Sequence, residues 1–178
     1  MEWEEVVKDP TLRDLPFKIE TNEWGKIMMA PGSDLHGIYQ TEIAGLLRSL
    51  AKEGRASSEC AVQTSKGVRV ADVAWRSCAF LKKHGIRKLK LPESPEVVVE
   101  IASPSNTAPE LEEKRHLYFE AGAKEFWLCG EDGAMRFFNP RGELKRSEFF
   151  GEFPAHIDIE VVQAEGTAHP EGWDGCKL

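Results

Sequence analysis

Apolar and polar positions divide the chain into short alternating runs separated by two longer helical stripes. Phe17-Lys18-Ile19-Glu20-Thr21 alternates, Asn22-Glu23-Trp24-Gly25 offers a turn, and residues 26–30 resume as a strand, so 16–30 reads as a hairpin. Pro31-Gly32-Ser33-Asp34 ends it and supplies N-cap candidates. Over residues 35–53, Leu35, Ile38, Tyr39, Ile43, Leu46, Leu47 and Leu50 fall on one helical face, and Gly54 stops the helix. Residues 57–64 and 68–75 read as a strand pair around Ser65-Lys66-Gly67, whereas 76–94 has no regular pattern. Residues 97–102 are apolar except at Glu100 and stand between Pro95 and Pro104, the pattern of a short strand buried on both faces. Thr107-Ala108-Pro109-Glu110 fits a capping box opening a helix to about Ala121, with Gly122 beyond it. Residues 124–129 form another strand, 135–138 and 143–150 a hairpin, and 157–162 a last short strand.

These elements predict a mixed α/β or α+β domain over residues 16–165, its helices packed on a central sheet, with an N-terminal and a C-terminal hairpin. Residues 1–15 read as an arm or short helix, and 166–178 as a loose tail. A chain of 178 residues is long enough for one real core. The formal charge of −7 does not advertise a nucleic-acid binder, but it leaves room for a local basic patch. The segment 76–94, with Arg76, Lys82, Lys83, Arg87, Lys88 and Lys90, is the candidate for one. The four cysteines are scattered and none forms a C-x-x-C, which suits reduced thiols in a cytoplasmic protein. No long apolar run occurs, so neither a cleaved export signal nor a membrane span is expected.

Four charged residues stand where an apolar one would be the default: Glu42 in the helical stripe, Asp72 on the row Val68-Val70-Asp72-Ala74, Glu100 in the buried strand and Lys114 on the later helix. An unpaired buried charge is costly, so each needs a partner. Two or three converging carboxylates make a hard-oxygen site suited to Mg²⁺ or Mn²⁺. Lys114 could then orient water or neutralise developing charge. A salt-bridged cluster of Lys114 with Asp72 and Glu100, binding no metal, satisfies the same pattern. His36, His84 and His116 read as surface or edge residues, His36 lying nearest the proposed site.

Val70-Ala71-Asp72-Val73-Ala74, then Pro95-Glu96-Val97-Val98-Val99-Glu100-Ile101-Ala102-Ser103-Pro104-Ser105, then Lys114, Tyr118 and Ala121-Gly122-Ala123-Lys124-Glu125-Phe126-Trp127-Leu128 resemble the Uma-type putative restriction endonucleases of the PD-(D/E)XK nuclease superfamily. The resemblance spans roughly residues 16 to 162. It implies a restriction-endonuclease-like fold, DNA as partner and a Mg²⁺- or Mn²⁺-dependent endonuclease. Asp72 and Glu100 would be the metal-binding acids, Glu42 the acid supplied by the first helix, and Lys114 and Tyr118 a pair resembling the Gln-x-x-x-Tyr arrangement of some branches. His36 would lie beside the site. Position 71 is Ala instead of Pro, and the superfamily lysine two residues after the second acid is Ala102, so Lys114 would stand in for it. Two alternatives remain: a lapsed nuclease that only binds nucleic acid, and an interaction protein with a buried carboxylate–lysine cluster. The oligomeric state stays open, a homodimer included.

Overall fold

The structure is a computed structural model that describes residues 2–104 and 106–159. Its centre is a six-stranded mixed sheet in the order β3-β4-β5-β6-β7-β8: β3 Arg55–Thr64, β4 Gly67–Arg76, β5 Val97–Ile101, β6 Glu125–Cys129, β7 Met135–Asn139 and β8 Gly142–Leu144. Only β5 and β6 are parallel, and helix α4, Ala108–Glu120, crosses between them. The expected sandwich of helices on a central sheet is what forms.

The alternation along β5 decides its two faces. Val97, Val99 and Ile101 join one core cluster with Tyr39, Ile43 and Leu47 of α2, Asp34–Leu50. Val98 joins the other, with Tyr118 of α4. Each such side chain, fully buried, gains roughly 1.5–3 kcal/mol over exposure. Trp127, also in the first cluster, meets Phe137 edge-on at 5.1 Å and Phe153 at 4.6 Å. Leu35 and Ile38, predicted for the buried face of α2, are exposed; the face that packs is the narrower row Tyr39, Ile43 and Leu47.

The N-terminal hairpin, β1 Phe17–Thr21 and β2 Ile27–Pro31, is a separate two-stranded sheet. With α1, Trp3–Lys8, it covers Val68 and Val70 of β4. Its docking relies on Gly67, whose φ is 91°: a Cβ there would collide with the backbone of Thr21 and Asn22.

Three expectations need correction. The segment 76–94 is not irregular throughout: Ser77 caps the short helix α3, Cys78–His84, which buries only Phe80 and so leaves no periodic signature. The strand predicted over 143–150 stops at Leu144, because Ser147, Glu148 and Phe149 bond to the buried Glu125 carboxylate instead of a neighbouring strand. Residues 157–159 form no strand; an isolated bridge pairs Ala134 with His156. The rest of that predicted strand, from 160, and the predicted tail at 166–178 lie outside the described residues.

Candidate active site

The site forms where two neighbouring strands part. The β4–β5 ladder consists of Trp75, Ala74 and Val73 opposite Val97, Val98 and Val99. Asp72 and Glu100 would be the next pair. Instead, the Ile101 N–H donates to Asp72 Oδ2 at 2.7 Å, and β5 continues beside β6. β4 turns to the hairpin, where Val70 N–H donates to Glu20 Oε1 at 2.9 Å and Val68 N–H to Thr21 Oγ1 at 3.0 Å. The β3–β4 register skips Glu59 at the same level, and Glu59 has φ 50°, the left-handed region that costs a non-glycine residue about 1 kcal/mol or more. Gln40 of α2 braces this kink, donating to Glu59 Oε1 at 2.5 Å and to the Asp72 carbonyl at 3.3 Å. Sequence and packing thus open a cleft of about 510 Å³ between hairpin, α2 and α4, with both acids on its floor.

Two lysines hold the acids. Lys18 Nζ lies 2.5 Å from Asp72 Oδ1 and 3.4 Å from Glu100 Oε2. Lys114 Nζ lies 3.0 Å from both Glu100 Oε2 and Glu20 Oε1. The Tyr118 hydroxyl donates to Glu100 Oε1 at 2.8 Å, and His36 Nε2 is 3.1 Å from Asp72 Oδ1. Burial opposes ionisation of Asp72, but Lys18 and His36 outweigh it and hold the carboxyl well below the usual range. Burial wins at Glu100 and raises it, only partly offset by Lys114 and Lys18. For both lysines burial favours the neutral form, yet the carboxylates, Glu100 foremost, prevail and hold them above the ordinary lysine value. Tyr118 is raised by burial and then by the Glu100 charge, so its hydroxyl stays a donor.

Asp72, Glu100, Lys114, Tyr118 and His36 therefore meet, and His36 is a member of the cluster instead of an edge residue. The structure does not bring Glu42 to them: its side chain is exposed on α2. The third acid comes from β1 as Glu20. Lys18 and Glu20 escaped sequence reasoning because they occupy the polar positions of an alternating strand, ordinarily the solvent face. Here that face is turned inward: Glu20 is buried, whereas Phe17 is 41 % exposed. Opposite charges two residues apart on so short a strand were the available signal. The basic segment does not line the cleft; Lys83 and His84 pair with Glu93, and Lys90 with Glu4.

Among the described residues, no three His, Cys, Asp or Glu side chains are arranged to hold a metal ion. A closed protein cage is thus not the fit. Asp72 and Glu100 already share one positive charge, the Lys18 ammonium, and Mg²⁺ commonly takes one or two carboxylates with water completing its shell. The donor set suits that arrangement.

A family profile described as Uma2, putative restriction endonuclease, matches residues 14–164. The chain belongs to the Uma2 family. A putative nuclease belonging to DUF820 from Anabaena variabilis ATCC 29413 has a crystal structure similar to this one, with a TM-score of 0.69 and 19% identity, covering 89% of this chain and 95% of that one. At that identity the likeness establishes the fold. No curated protein matches the chain. In this Uma2 member the residue two after Glu100 is Ala102, whose N–H donates to the Cys129 carbonyl at 2.8 Å, and the ammoniums beside Glu100 come from α4 as Lys114 and from β1 as Lys18. No helix among the described residues is long and apolar enough to cross a membrane.

Proposed function

We propose that this Uma2 protein is a Mg²⁺- or Mn²⁺-dependent endonuclease that hydrolyses phosphodiester bonds of DNA in the β4–β5 cleft. One observation carries the reading: Asp72 and Glu100 converge from parting strands beside a lysine in an open cleft, within a chain of a nuclease family. Asp72 and Glu100 would hold the ion. When bound, such an ion lowers the pKa of coordinated water and stabilises charge on phosphoryl oxygen. Lys114, fixed by Glu20 and Glu100, orients the attacking water or offsets developing charge, while Tyr118 holds the far oxygen of Glu100. The backbone N–H of Ile101 aims Asp72.

A second reading has its own observation. Every carboxylate oxygen of Asp72 and Glu100 already accepts from a protein donor, as a purely structural cluster would require. Incubating plasmid DNA with the protein in Mn²⁺, Mg²⁺ or chelator separates the two. Cleavage is expected only with the ions and is expected to vanish in Asp72→Asn. Lys114→Met should keep ion and DNA binding within a few-fold while losing about 10²–10³ in rate, the cost typical of removing one transition-state donor. DNA left intact by the parent with either ion would defeat the nuclease reading.

A further inference from the structure

We propose that Lys18 is a built-in counter-ion occupying the place between Asp72 and Glu100 that a divalent cation needs, so that ion binding and the Lys18 contact exclude each other. This rests on the reading of those acids as the metal-holding pair. It adds a control that the pair alone does not imply.

Geometry carries the inference first. The Lys18 ammonium contacts one oxygen of each acid, at 2.5 and 3.4 Å, from a strand that belongs to neither acid's sheet. The remaining oxygens face fixed donors: Asp72 Oδ2 the Ile101 amide, and Glu100 Oε1 the Tyr118 hydroxyl. Lys18 thus sits between the two acids, on oxygens it shares with His36 at Asp72 and with Lys114 at Glu100, and an ion held by both acids would compete with it there. Lys114 shares Glu100 Oε2 at 3.0 Å but pairs with Glu20 and not with Asp72, so Lys18 is the lysine that spans both acids.

Formal charge gives the same answer independently. With His36 counted as neutral, three carboxylates, Glu20, Asp72 and Glu100, surround two ammoniums, and a charged His36 would add to the positive side. A divalent ion added to that set leaves excess positive charge in a buried place, which is costly. With Lys18 withdrawn, Lys114 and one divalent ion balance the three acids. Lys18 lies at the wall of the open cleft on a four-carbon stem, so withdrawal needs only side-chain rotation toward solvent.

The proposal makes Lys18 a brake on ion affinity, opposite to a residue that helps bind the ion. Calorimetric titration with Mn²⁺ of the parent, Lys18→Met and Lys18→Arg tests it. Lys18→Met, which keeps the stem and removes the charge, should bind Mn²⁺ at least about tenfold more tightly, while Lys18→Arg should bind no better than the parent. Without the ion, Lys18→Met should melt earlier than the parent, and Mn²⁺ should raise its melting temperature by more than it raises the parent's. If Lys18→Met does not fold alone, Mn²⁺ must restore its fold; a variant still unfolded with the ion overturns the exchange. Equal or weaker Mn²⁺ binding by a folded Lys18→Met, beside a parent that binds, overturns the brake and leaves the metal site standing. Absence of binding in all three proteins sinks both.

Discussion

His36 Nε2 lies 3.1 Å from Asp72 Oδ1, and that hydrogen bond, opposed by burial, raises the imidazole above its ordinary 6.5. A histidine raised on folding contributes stability that is full below pH 6.5 and is lost as the pH climbs through its higher folded value. In chelating buffer, His36→Gln should therefore lie below the parent by about 1.5 kcal/mol at mildly acid pH, with the gap closing in alkali. Urea melts across that range check it, and a gap that widens with pH would be the wrong sign. At this scale the sequence was legible at three of the four charges that interrupt an apolar pattern: Asp72 and Glu100 lie on strands, and Lys114 one turn before Tyr118. It misled at Glu42, because a helical stripe drawn from residue types is wider than the face that packs; Ile43 beside it is fully buried while Glu42 is exposed. Lys18 and Glu20 followed the ordinary alternation of a half-exposed strand, and only the docking of the hairpin turns that face inward.

Among the elements, strand β6 does more than flank β5. Glu125, at its first residue and fully buried, accepts from Trp127 Nε1, Ser147 Oγ and the N–H groups of Glu148 and Phe149, at 2.6 to 3.2 Å. These four donors satisfy the carboxylate and tie residues 147–149 under the sheet, where Phe150 packs on Trp127 at 6.0 Å. Glu125→Gln keeps the shape but points an amide NH₂ at groups that are themselves donors. The expected loss is about 2–3 kcal/mol, from buried donors left without acceptors, and should appear as a lower urea midpoint with ion affinity unchanged in the folded fraction. A neutral result would mean the loop re-pairs elsewhere. Element boundaries were legible where caps and glycines mark them, as at Ser33, Thr107 and Gly67. They were not at β8 and α3: a long-range bond to Glu125 ends one pattern early, and α3 presents too small a buried face to create another.

For the whole molecule, the layers were legible because the two faces of β5 already require a helix on each, supplied by α2 and α4. What no local pattern could state is that a third small layer, the hairpin, completes the cluster. That division has a kinetic side. Glu100, Lys114 and Tyr118 all belong to the continuous strand–helix–strand crossover from β5 to β6, whereas Lys18 and Glu20 arrive with a separate sheet that docks on β4 through side-chain bonds, the close approach at Gly67 and the apolar packing of Ile19 and Ile27. The two parts need not open together. In native-state amide exchange, β5 and β6 should exchange only through global unfolding, while β1 and β2 should exchange through a partial opening lower by about 2 kcal/mol or more. Equal protection in both would mean that hairpin and sheet form a single cooperative unit. If the partial opening exists, the molecule briefly visits a state in which Glu100, Lys114 and Tyr118 remain assembled while Lys18 is away from both acids, and each visit gives the pair a second way to change its counter-ion besides rotation of the Lys18 side chain.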